Sequence, residues 1–221
     1  MKHYSVRYTL LTSRFDQFWF PLALWVLFLI IGALRGQEYM MDTTRTYLGI
    51  VVPLIGGIMA AYAVLEDPAL ELRFATPIPA AQTLLERLVP AFLVQAFFAL
   101  TFQVIALGMK ADFSSMFSNW SDVQLAWLIP TVSLTALGFF TALAAGHATT
   151  GAVLTGMVWI VELVAKGWFA KQTIGQYFLV FMSSLMLDHS ALRFNQLTLM
   201  GFSLALLLAS WWLLRRPERY I

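Results

Sequence analysis

Glu162 and Lys166 stand four residues apart inside a long apolar stretch, with the acid first. Helical spacing puts them on one face, and the order acid-then-base is the favourable one. A charge at the centre of a membrane costs about 2.5–3.5 kcal/mol on insertion scales, so the pair needs a reason. One reading is a polar patch on a translocation path or at a contact between subunits. The other, favoured because the span should end only a few residues later, is a self-compensated pair with Lys166 reaching toward the outer boundary near Trp168. His189 beside Asp188 could do acid–base or metal chemistry, but no third ligand is near in sequence, and a surface role is expected. His147 reads as a surface residue in a short turn on the cytoplasmic side. No catalytic set and no metal site are expected. The absence of cysteine excludes disulfides, thiolate metal sites and a cysteine nucleophile. Gly201-Phe202-Ser203-Leu204 lacks the second glycine of an intramembrane serine protease, and His-Glu-x-x-His does not occur. No Gly-x-x-x-x-Gly-Lys-Ser/Thr loop is present, and Lys2, Lys110, Lys166 and Lys171 all lie outside such a context.

These side chains must be carried by elements suited to a bilayer. Of 221 residues, 60% are hydrophobic and 12% charged, where a soluble domain carries roughly 25% charged residues. A helical span needs about 20 mainly apolar residues, so one all-α polytopic membrane domain of six spans is expected over residues 1–221. Residues 1–17 carry Val6, Leu10, Leu11 and Phe15 at helical period and predict an amphipathic helix lying in the interface. No cleavable signal peptide is expected. The spans are expected at about Phe18 to Leu34, Thr46 to Leu65, Leu88 to Leu107, Val123 to Ala144, Gly151 to Phe169 and Gln196 to Leu214. A polar loop, Arg35 to Arg45, should join the first two, and a short turn, Ala145 to Thr150, the fourth and fifth. Residues 170–195 form an extracytoplasmic hairpin. Its apolar core, Ile174 to Leu187, is too short to cross and reads as re-entrant or interfacial.

Charge sets the orientation. With six spans, Lys2, Arg7, Arg14, Arg73, Arg87, Arg215, Arg216 and Arg219 share one side. Arg35, Arg45, Lys110, Lys171 and Arg193 share the other. The bias places both termini in the cytoplasm of a multi-pass plasma-membrane protein, a bacterial inner membrane fitting best. Trp19, Trp120, Trp168, Trp211 and Trp212 near the span ends suit an aromatic belt. No basic cluster interleaved with aromatics suggests nucleic acid.

The connection between spans two and three is unusual. Asp67 can cap a short helix that opens with Pro68. Glu71 near its start and Arg73 near its end complement the helix dipole. Leu70 and Phe74 share a face, and Pro77 and Pro79 end it. A small amphipathic helix held at the membrane surface would bury that face in the headgroup layer or against a soluble partner.

The string Leu65-Glu66-Asp67-Pro68-Ala69-Leu70-Glu71-Leu72-Arg73-Phe74-Ala75-Thr76-Pro77-Ile78-Pro79, followed by Leu84-Leu85-Glu86-Arg87-Leu88, resembles the cytoplasmic segment of ABC-2-type transporter permeases. An acidic residue, a Leu-Glu-Leu core and an Ala-Thr-Pro exit recur there. The architecture agrees along the whole chain, the motif over about twenty residues. Pro68-Ala69 stands where the family has a small glycine-containing turn, and Arg73 where it is generally apolar. These departures bear on the subfamily, and the heme-exporter branch stays open. The resemblance implies a permease subunit, an exporter, that pairs with a second copy or a homologous permease and contacts membrane lipid. Residues 66–87 would be its coupling segment, with Glu66, Asp67, Leu70, Glu71, Phe74 and Pro77 meeting an ATP-binding cassette ATPase subunit. ATP and magnesium would be bound by that partner and no cofactor by this chain. Few intramembrane charges and many Phe and Met residues fit an amphiphilic cargo. The alternatives are an ATP-independent carrier or channel and, behind them, an intramembrane enzyme.

Overall fold

The computed structural model describes residues 16–63, 65–66, 79–115, 117 and 119–215. The amphipathic lead-in up to Phe15, the residues 67–78 and the basic tail after Arg215 lie outside them. Six helices are long and apolar enough to cross a membrane: α1 (Asp16–Arg35), α2 (Gln37–Tyr62), α3 (Ala80–Gly108), α4 (Trp120–Ala145), α5 (Ala148–Lys171) and, at the end of the described chain, Leu192–Leu214. Between the last two lie single-turn helices α6 (Gly175–Phe178) and α7 (Met182–Leu185), which makes the final span α8. No strand occurs among the described residues. The chain is a multi-pass helical membrane protein.

Two connections differ from the sequence reading. Arg35 to Arg45 is not a polar loop. Gly36, at φ 89°, is the whole break, and helix resumes at Gln37. The polar letters misled because they alternate faces. Met40, Met41, Thr43 and Thr44 are buried, and the Thr44 hydroxyl returns a bond to the Met40 carbonyl at 2.8 Å. The turn between α4 and α5 is likewise only Gly146 and His147, since Gly146 at φ 74° ends α4 in the left-handed conformation that lacks a Cβ penalty. Helices α3 and α8 also begin earlier than the apolar runs do, because their first turns are polar yet helical.

Successive spans alternate in direction, so the bundle has a near end, where Leu65 and Pro79 lie, and a far end, where α6 and α7 lie. Its centre is α2 against α4. Buried residues make up 72% of the apolar stretch of α2 and 61% of that of α4, against 11% for α1 and 22% for α5. The outer helices therefore present their apolar faces outward, as lipid-facing helices do. Small residues let the central pair close. A methyl group added at Gly138 would fall on the carbonyl oxygen of Gly57. One added at Gly57 would lie 2.6 Å from Thr155 Cγ2 and 2.9 Å from the Leu134 carbonyl oxygen. Backbones meet where side chains would hold them apart.

Helix α2 widens into a π-helical turn over Tyr47–Val51, two residues before Pro53. Such bulges and prolines disturb the ordinary ladder of helix bonds. The indole Nε1–H of Trp159 on α5 donates to the Ile50 carbonyl at 2.9 Å. Tyr47 stacks on Phe102 of α3 with ring centroids 4.2 Å apart, and Phe28 of α1 leans on the same ring. At the boundaries Trp19, Trp120, Trp168 and Trp212 are exposed. The Arg215 guanidinium lies 3.6 Å from the ring centroid of Trp211, where a cation and an amphipathic ring suit the interface.

Candidate functional site

The near end frames the first expected site. Leu65 packs beside Ala60, Ala63, Leu88, Leu143, Leu213 and Leu214, and Glu66 lies in the turn that follows α2. Pro79 caps α3, its carbonyl accepting from Gln82 and Thr83. Residues 80–87 form the first turns of α3, with Gln82 bonded to Glu86 at 2.8 Å and Arg87 buried. Asp67, Leu70, Glu71, Phe74 and Pro77 lie outside the described residues.

The far end holds the second. Residues 179–184, expected as a re-entrant or interfacial stretch, are buried. Val180 and Phe181 join Ile50 of α2, Ile129 and Leu134 of α4 and Leu199 of α8 in one apolar cluster, which Trp159 and Leu163 of α5 complete. The Phe181 ring meets the Trp159 ring edge-on at 6.3 Å and 88°. The segment thus folds inward among four spans.

A segment that folds inward brings polar backbone with it, and unpaired backbone groups in apolar surroundings cost several kcal/mol each. Side chains from three spans meet that demand. Glu162 of α5, which is buried, accepts the Val180 N–H at 2.6 Å. Asn195 of α8, fully buried, donates through Nδ2 to the carbonyls of Gln176 at 2.9 Å and Leu179 at 3.0 Å. Both neighbours are acceptors, which fixes how the amide is turned. Arg45 of α2 donates through Nε to the Ser184 carbonyl. Gln196 reaches the Ser183 hydroxyl at 3.4 Å.

This changes the reading of Glu162 and Lys166. The two share a helix, but Lys166 is exposed, and among the described residues no ion pair joins them. Glu162 is turned to a backbone amide, and Lys166 is open to the surroundings. Sequence reasoning overlooked Arg45, Trp159 and Asn195. Arg45 was assigned to a loop, while an amide at the start of an apolar run resembles any interfacial residue.

Beside the segment a cleft of about 290 Å³ opens at the far end. Asp122 at the start of α4, Ser183, Asp188, His189, Arg193 and Gln196 contribute its polar wall. His189 Nδ1 accepts the Ala191 N–H at 3.2 Å, so that imidazole is turned by its own loop. Among the described residues no three His, Asp or Glu side chains are grouped to hold a metal ion. His147, on the near-end turn, is exposed.

Comparisons with protein-family models, with curated proteins and with solved structures give no match to this chain.

Proposed function

We propose that the chain is the permease subunit of an ATP-binding cassette exporter, coupled through residues 66–79 to a separate ATPase subunit. The observation that carries this reading is the composition of that connection, an acidic start, a Leu-Glu-Leu core and a proline-stiffened exit. It is anchored at Leu65 by apolar packing and at Pro79 by the first turn of α3. A force applied to it would reach α2 and α3 directly, and through α2 the closely packed α4. The lack of a phosphate loop assigns ATP binding to the partner. The apolar outward faces of α1 and α5 fit lipid together with a second permease, and the amphiphilic cargo would pass between the two.

The test pairs the chain with an ATP-binding subunit in nanodiscs. The chain alone should hydrolyse no ATP, and the complex should do so in step with transport. Glu71→Ala and Phe74→Ala should leave the spans folded yet uncouple hydrolysis from transport, each costing on the order of 1–2 kcal/mol of docking energy. Turnover by the isolated chain would overturn the reading. Normal docking and transport in both variants would reduce 66–79 to a surface loop.

A further inference from the structure

Glu162 and Asn195 act on the same peptide unit. The N–H of the Leu179–Val180 peptide is held by Glu162 of α5 at 2.6 Å, and its C=O by Asn195 of α8 at 3.0 Å. In a trans peptide these groups point in opposite directions, so the two side chains grip it from opposite sides. The peptide lies deep: Glu162 is nine residues before the end of α5 at Lys171, which at 1.5 Å per residue is about 13 Å along the helix. Helices α5 and α8 both pack on α6, so at this level the segment is the piece between them.

We propose that Glu162 and Asn195 are positioning residues forming a two-sided clamp that ties α5 to α8 through the 179–180 peptide, and that its release opens the far end of the bundle between those helices. The tie is made of side-chain-to-backbone bonds, so it depends on where the segment sits more than on its own side chains. It is also replaceable by water once α5 and α8 part, because a carboxylate, an amide and a peptide unit are all groups water can satisfy. An apolar seam would have no such second state. An acid at position 162 fits this role. Glutamine could accept the same N–H at a lower burial cost, whereas a carboxylate gains more when water reaches it and so favours the opened form.

The chain has no cysteine, so Lys166→Cys and Leu197→Cys, both at exposed positions of α5 and α8, can carry a pair of spin labels. In nanodiscs the isolated chain should give one narrow distance. Adding Glu162→Ala with Asn195→Ala should broaden it or add a longer population, at unchanged monodispersity. Glu162→Gln, which keeps the acceptor, should retain the narrow peak. An unchanged distribution in the double variant would overturn the clamp. If that variant does not purify folded, Glu162→Leu is read by the same criterion. The gate, which rests on the permease reading, has its own arm: the unmodified clamp in the ATPase complex should gain the longer distance when nucleotide is trapped. A working clamp with no nucleotide response in an active complex would overturn the gate alone. If the isolated chain responds as expected but no ATPase couples to it, the permease reading fails and the clamp stands.

Discussion

The centre of the bundle and its far end are held in opposite ways. Between α2 and α4 the contact is backbone on backbone, made possible by Gly57 and Gly138 and filled out by Ala60, Thr131 and Leu134. At the far end the apolar packing of Val180 and Phe181 is joined by polar contacts, with Glu162, Asn195 and Arg45 reaching single backbone groups of an inserted segment. In lipid there is no hydrophobic drive between helices, so both devices are needed, but they fail differently. A close-packed seam has no tolerance for added volume and no second arrangement. A set of hydrogen bonds tolerates replacement by another acceptor and can be exchanged for water. On the clamp proposed above, the centre stays rigid while the far end opens.

The largest effect should come from adding volume to the centre. Gly138→Leu places a side chain where the Gly57 carbonyl oxygen lies, and should destabilise by more than about 3 kcal/mol, beyond the usual overpacking range. Thermal unfolding in detergent would read it as lost monodisperse protein, and a folded variant near wild-type stability would break the description of the central seam.

Removing polar contacts at the far end should do less. Glu162→Ala leaves the Val180 amide unpaired and should destabilise by about 1–3 kcal/mol, while Glu162→Gln should stay within about 1 kcal/mol by keeping an acceptor. Equal losses in the two would mean that charge, not acceptance, is what matters there. Asn195→Ala, losing bonds to Gln176 and Leu179, should sit at about 1–2 kcal/mol by the range for polar contacts in membranes.

Lys166→Met should change stability by no more than about 0.5 kcal/mol, as exposed positions do, and combined with Glu162→Gln it should be additive. Rescue of either by the other would restore the paired reading. Smallest of all, Gly156→Ala meets nothing within 4 Å and should be neutral or slightly stabilising, since alanine is the better helix former.

The six spans were legible because the bilayer imposes them through long apolar runs with few charges. Even the odd stretch after α5 stood out by its length. Boundaries were less legible, because turns such as Glu38 to Arg45 are polar in letters and helical in fact, their buried face carried by two methionines and two threonines. The Glu162 partner was not legible either. Helical spacing identifies which neighbours share a face, and Lys166 does, but the face turned toward Val180, eighteen residues on, is set by tertiary packing. Gly138 gave no signal of its own, since one glycine in an apolar run marks close approach only once its neighbour is known.

The account stands on the near end being cytoplasmic and the far end being outside, with the 66–79 connection available to a soluble ATPase. The cysteine-free chain allows the most direct measurement, labelling of single variants in intact cells with an impermeant maleimide. Lys110→Cys, exposed at the far end, should label, and Ala69→Cys should label only after the cells are opened. The reverse pattern would put residues 66–79 outside, where no ATPase could reach them, and would contradict the account.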